Sequence, residues 1–161
     1  MPDEAESDTS PQPADAHPGA GTIVVGVDGS DPSIEALRYA ATMATVLSLS
    51  VTAITCWRYP PAYDNFVPLQ WSPENDAEQV LKEAVAAAFG DVPPAGLRTL
   101  VRQGQPASVL IDESADAAML VVGSRGLGGF AGLLLGSVSA AAAAHARCPV
   151  LVLRGGDRPD A

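Results

Sequence analysis

Two glycine steps near the end of the chain carry the most chemistry: Gly123-Ser124-Arg125-Gly126, then nine residues, then Gly136-Ser137-Val138. They lie between an apolar run, Met119 to Val122, and an alanine-rich run, Ser137 to Ala146. Glycines at such a junction let a backbone approach a ligand closely and reach φ > 0 without a steric penalty. Successive free N–H groups in that geometry form an anion-binding concavity, and the first turn of the following helix adds its own unpaired donors. Strand, glycine loop and helix start, in that order, read as a phosphate cradle. The competing reading is a set of ordinary turns or a flexible linker. A solvated linker is polar, whereas Leu127, Phe130, Leu133, Leu134 and Leu135 fill this loop, so it is expected to pack down.

The loop is not a Walker A sequence. No Gly-Lys-Ser/Thr follows it, and the only lysine, Lys82, falls in a different expected helix. A dinucleotide fingerprint is also excluded, because Gly-x-Gly-x-x-Gly is absent and the loop follows a late strand. Phosphate charge therefore has to be met by backbone N–H groups, the Ser124 and Ser137 hydroxyls, Arg125 and a metal ion. For Arg125 two readings stay open, a phosphate contact and a solvated loop charge.

The elements that must position this loop alternate. Thr22 to Val27 is an apolar, β-branched run of the kind found in buried parallel strands. Asp31-Pro32 signals a helix, with Asp31 as cap and Pro32 at its first position. Ile34, Leu37, Ala41 and Ala44 mark its buried face. Val51 to Trp57 reads as a second strand, and Ser72-Pro73 opens a second helix running to about Phe89. Leu97 to Arg102 is a third strand, and Pro106 opens a short helix to about Ala115. Ala118 to Val122 is the fourth strand, Ser137 caps a helix ending near Arg147, and Pro149 to Leu153 is the fifth strand. Such alternation implies an α/β fold, a parallel sheet with right-handed crossovers and helices on both faces. Ligands in these folds bind at the carboxyl ends of strands where the winding reverses. Asp28 and Gly123 end the first and fourth apolar runs, so adjacency of those strands brings both to one crevice.

At 161 residues one domain is the natural expectation. The formal net charge of −10 argues against nucleic-acid binding by charge attraction. Residues 1–20 hold Asp3, Glu4, Glu6, Asp8 and Asp15 with no lysine or arginine, plus four prolines, and are expected to be a disordered acidic tail. Residues 155–161 are expected to fray. The start lacks the apolar segment of a secretory signal, and no run reaches membrane-spanning length. Cys56 and Cys148, far apart in apolar settings, read as buried thiols of a reducing compartment rather than a disulfide. The cytoplasm is the expected location.

The chain resembles the universal stress protein family, specifically its ATP-binding branch, marked by Gly-x-x-Gly, nine residues, Gly-Ser/Thr; Gly123, Gly126, Gly136 and Ser137 match it without a gap. The resemblance spans Gly21 to Arg154. It includes the first run ending Val-Asp-Gly-Ser, the Gly104-Gln105-Pro106 turn, and the closing Cys148-Pro149-Val150-Leu151-Val152-Leu153. It implies a doubly wound sheet of five strands in the order 3-2-1-4-5, with ATP at the reversal between the first and fourth. It further implies that Gly123, Gly126, Gly136 and Ser137 hold phosphates, with the Val138 amide beside them. Asp28 would face the ribose or a Mg²⁺ ion, the backbone at Cys56 would meet adenine, and Gly26, Val27 and Val122 would line the pocket. Met119 departs from the aspartate that members often carry before the fourth strand, away from the ligand.

Alone, Asp28 in Asp-Gly-Ser-Asp reads as a turn or helix cap; beside the glycine loop it becomes the best side-chain candidate for the ligand or metal. His145 reads as structural, and Trp57 and Trp71 as packing or loop-covering residues. No catalytic constellation is visible. The expected function is an ATP-binding stress or dormancy regulator with slow or no hydrolysis, answering to an unknown protein partner. The alternatives are a cyclic AMP-binding module and a slow ATPase. The fifth run, Val150 to Leu153, is a continuous apolar edge strand without a protecting lysine or proline, so a homodimer through that strand is expected.

Overall fold

A computed structural model describes residues 18–61, 70–127, 132 and 134–155. The parallel sheet has the order β3-β2-β1-β4-β5, with strands β1 (Thr22–Gly26), β2 (Ser50–Trp57), β3 (Leu97–Gln103), β4 (Met119–Gly123) and β5 (Val150–Leu153). Helices α1 (Asp31–Leu47) and α2 (Pro73–Phe89) cover one face; α3 (Pro106–Glu113) and α4 (Ser137–His145) cover the other. The doubly wound α/β fold expected from the sequence is the one found.

The central strands are apolar throughout because both faces are covered. Ile23 and Val25 point into the α1/α2 core, and Val24 points into the α3/α4 core. Val121 and its neighbours Leu120 and Val122 alternate in the same way. Helix α1 buries Ser33, Ala36, Leu37, Ala40 and Ala44. Ala41, expected on that face, is only half-buried, and Ala40 takes the inward position.

Two helix starts follow one design. The Ser30 hydroxyl accepts from Ser33 N–H at α1, and the Ser72 hydroxyl accepts from Asn75 N–H at α2. The cap of α1 is therefore Ser30 rather than the expected Asp31, which lies one residue inside the helix, where its charge still suits the helix dipole. The far end of α2 has no basic residue of its own. Arg38 of α1 supplies the charge instead, donating to the carbonyls of Ala87 and Ala88 and pairing with Glu35. Residues 1–17 of the expected acidic tail and 156–161 of the expected C-terminal tail lie outside the described residues. Pro18, within the expected tail, is buried, and Gly19 C=O accepts from Thr22 N–H, so ordered packing starts ahead of β1.

One polar atom stands out in this core. Thr52 on β2 is 1% exposed, and its hydroxyl has no hydrogen-bond partner among the described residues. An unmade buried hydrogen bond is a net cost. Thr52→Val, which keeps the shape and removes the hydroxyl, is expected to raise unfolding stability by about 1 kcal/mol, read as a higher urea midpoint at unchanged slope. A lower midpoint would show that the hydroxyl is satisfied.

Candidate functional site

The strands end at different heights where the winding reverses. β1 stops at Gly26, paired with Ile54, while β2 continues to Trp57. The last cross-strand bond on this side is Val27 N–H to Ile54 C=O, 2.9 Å. In a parallel strand, alternate residues turn both backbone groups to the same neighbour. Ile54 faces β1, Trp57 C=O accepts from Gly104 on the β3 side, and Cys56 therefore faces β1 beyond the point where β1 has ended. Its N–H and C=O open onto a crevice. Val27 has no such freedom: its N–H is bonded to Ile54, and its C=O accepts from the Thr55 hydroxyl at 2.9 Å.

That crevice is a cavity of about 380 Å³. Gly26, Val27, Asp28, Cys56, Val122, Gly123, Arg125, Gly126, Gly136, Ser137 and Val138 all line it, whereas Ser124, whose hydroxyl was also expected to meet phosphate, is buried and does not. Ser33, Ile54, Pro106, Leu110, Leu127 and Ser139 line it too and were missed. Pro106 and Leu110 carry no chemical signature that marks them as site residues. Ser139 had a usable signal, a hydroxyl in the first turn after Gly136-Ser137.

The cavity has two ends of different character. Ile54, Cys56, Pro106 and Leu110 make an apolar end. The Cys56 thiol there is pushed up from 9.0 to about 11, chiefly by burial, with the Glu113 carboxylate adding to the rise and Arg102 opposing it. Arg102 and Glu113 are themselves paired, Nε to Oε1 at 2.7 Å. Both cysteines are free thiols, as expected.

Gly123, Arg125, Gly126, Gly136, Ser137 and Val138 make the other end, where backbone polarity dominates. Helix α4 begins after Gly136, not with Ser137 as cap. Gly136 has the extended cap conformation, its C=O accepts from Ala140 N–H, and no side chain caps the helix. Ser137 is the first helical residue. The N–H groups of Ser137, Val138 and Ser139 precede the first intrahelical bond and are left available. Asp28 closes the turn read for it and also reaches the glycine loop. Its Oδ1 accepts from Ser30 N–H at 2.9 Å and from the Ser30 hydroxyl, closing a turn, while Oδ2 accepts from Leu127 N–H at 3.1 Å and so reaches the glycine loop.

The glycines have more varied duties than the sequence suggested. A Cβ on Gly126 would lie 2.5 Å from Asp28 Oδ2. A Cβ on Gly123 would meet Pro32 of α1 at 2.8 Å, and one on Gly26 would meet Leu110 Cδ1 at 2.6 Å. Gly123 and Gly26 thus admit neighbouring helices as well as lining the cavity. The expectation that the loop packs down fails for its described leucines: Leu127 and Leu134 are 76% and 74% exposed, and Leu135 is exposed as well. No described element covers these three side chains. Phe130 and Leu133 lie outside the described residues. Among the described residues no cluster of His, Cys, Asp or Glu is arranged to hold a metal. No described helix is long and apolar enough to cross a membrane.

Known proteins share this fold. A solved universal stress protein in complex with cAMP superposes with TM-score 0.63 at 27% identity, covering 84% of this chain and 97% of its own. A universal stress protein from Archaeoglobus fulgidus in complex with dAMP gives 0.56 at 25% identity, covering 85% and 97%. A universal stress protein of Mycobacterium tuberculosis is 37% identical over 139 residues, which is 86% of this chain and 46% of the relative. The chain thus spans about half the length of the curated relatives it matches. The sequence model of the universal stress protein family matches residues 20–154, so this chain belongs to that family.

Proposed function

We propose that the cavity binds an adenine nucleotide, ATP in preference, and that the protein is a nucleotide-dependent regulator of stress or dormancy with slow or no hydrolysis. One observation carries this reading: helix α4 presents uncapped N–H groups to a cavity whose other end is apolar and offers a backbone donor and acceptor at Cys56. Adenine has a matching edge, an acceptor ring nitrogen beside an amino donor, and apolar faces for Ile54 and Leu110. Phosphates suit a helix N-terminus and glycine amides, as anions do generally. In this reading Gly126, Gly136, Ser137 and Val138 hold the phosphates, with Gly123 at the entry to the loop and Arg125 the lining cation. Gly26, Val27 and Val122 wall the base and ribose.

Among the described residues, Asp28 is the one carboxylate lining the cavity. With no multi-carboxylate cluster among the described residues, a protein-held metal does not fit. A Mg²⁺ carried on the nucleotide does, since Mg²⁺ is usually held by one or two carboxylates plus substrate phosphates and water. Bound there, the ion would neutralise phosphate charge. The described lining holds no second acid or histidine to orient a water, which favours binding over turnover.

Cyclic AMP is the second reading, favoured by the cAMP-bound neighbour. A cyclic monophosphate needs fewer donors than this loop and helix start supply. We place the binding unit at 21–154, with flanking tails, in the cytoplasm, where the free thiols persist. We further propose a homodimer through β5: it is the sheet edge, and Val150 to Leu153 are only partly buried.

Mass spectrometry of nucleotide co-purifying with the protein, followed by calorimetric titration of ATP and cAMP, separates the readings. Gly126→Val should lower ATP affinity at least about tenfold, because its side chain collides with the Asp28 carboxylate; unchanged affinity would refute the placement. The Cys56 thiol should alkylate with a rate still rising tenfold per pH unit past 9.0 and levelling only near 11. At neutral pH it should react about a hundredfold more slowly than an unperturbed thiol, and adenosine should slow it further. A plateau near 9.0 would place Cys56 in solvent. Val152→Lys should convert a sedimenting dimer to monomer while the circular dichroism spectrum stays folded; a monomeric wild type at tens of micromolar, roughly where weak dimers form, would end the dimer proposal.

A further inference from the structure

Residue Ser124 joins three parts of the molecule that are otherwise separate. Its N–H donates to Leu153 C=O at 2.7 Å, next to the last register pair of β4 and β5, Gly123 with Leu153. Its C=O accepts from Gly136 N–H at 2.6 Å and from the Ser139 hydroxyl at 2.9 Å. Ser124 is 4% exposed and Ser139 is 1% exposed. The two ends of the glycine loop are thereby pinned together at the residue that also fastens the end of the edge strand.

We propose that the Ser124 main chain, held by the Ser139 hydroxyl, couples phosphate occupancy of the loop to the β5 edge, and that Ser139 is a positioning residue for the phosphate end of the site. The proposal rests on the nucleotide reading above. Ser139 acts through geometry. Its hydroxyl bridges Ser124 C=O and Gly136 C=O, fixing the first turn of α4 against the start of the loop. The N–H groups that would meet a phosphate are held in one orientation as a result. These bonds are buried, so breaking one without a substitute costs the full desolvation of its atoms. A phosphate drawn onto the start of α4 therefore shifts or stiffens Gly136, Ser124 and Leu153 together. At the opposite edge, Gly104, the residue after β3, donates its N–H to Trp57 C=O on β2. Coupling of this kind is reciprocal: whatever covers the β5 edge changes phosphate affinity by the factor that phosphate changes the covering.

The test uses the full chain, wild type and Ser139→Ala, titrated with ATP and separately with adenosine, together with amide hydrogen exchange on β5 and β3. Ser139→Ala should weaken ATP about tenfold and leave adenosine nearly unchanged. In wild type, ATP should slow exchange of β5 more than that of β3, a difference lost in the variant. General stabilisation by a ligand would protect both edges alike, and that result would overturn the proposal. Equal weakening of ATP and adenosine would likewise reduce Ser139 to a structural residue. If ATP selectively protects the loop but neither edge, the nucleotide reading stands and the coupling falls; if wild type binds neither ligand, both fall. The wild-type exchange comparison decides the coupling even if Ser139→Ala fails to fold.

Discussion

Everything at the site follows from backbone polar groups that the sheet cannot pair. Parallel strands satisfy one another only as far as both continue, and here β1 ends while β2 runs on. The chain leaves β1 toward one face and β4 toward the loop that leads to the other. At that divergence Cys56 loses its partner strand, and α4 starts without a side chain to receive its first N–H groups. Backbone donors and acceptors must be paired with something, whether protein, water or ligand. The pocket is thus a by-product of winding, made specific by what surrounds it. Its apolar end comes from the second core, whose Ile54 and Leu110 continue into the lining.

Much of this was legible in the chain. Strand and helix alternation gave the layer order, because the apolar runs are long enough to be covered on both sides and the serines or prolines before each helix are strong start signals. The glycine–serine spacing marked the end of the cavity where backbone polarity dominates. The errors have physical sources. Asp31 and Ser30 are both good caps, and only the local geometry chooses between them. The spacing at Gly123 reads as ligand approach, yet Pro32 needs the same missing side chain; periodicity carries no record of which neighbour arrives. Leu127 and Leu134 were expected to be buried because they are apolar, but burial needs a second surface, and no described element supplies one. Leu110 and Pro106 could not have been found, since apolar residues look alike whether they line a cavity or fill a core.

Charge enters the site sparingly. The chain is acidic overall, and the described lining offers one arginine and one carboxylate. Attraction for an anion has to come from oriented dipoles at close range, which fall off quickly and act only on a ligand already seated. Long-range steering of a nucleotide by net charge would work against association. Under the nucleotide reading proposed above, such a site would select by fit and donor geometry.

The missing cap of α4 has a consequence for composition. Helices α1 and α2 begin with serine hydroxyls that hold their first turns, an arrangement whose removal typically costs about 1 kcal/mol. Helix α4 forgoes it, is short, and has little amphipathic character to anchor it through packing. Its interior from Ala140 to Ala144 is a run of alanine, the residue with the highest intrinsic helical propensity. The polyalanine stretch is best understood as local compensation, since conformational preference sustains a helix whose N-terminal donors are kept open. Replacing that run with β-branched residues would weaken the very helix whose first turn has no capping side chain.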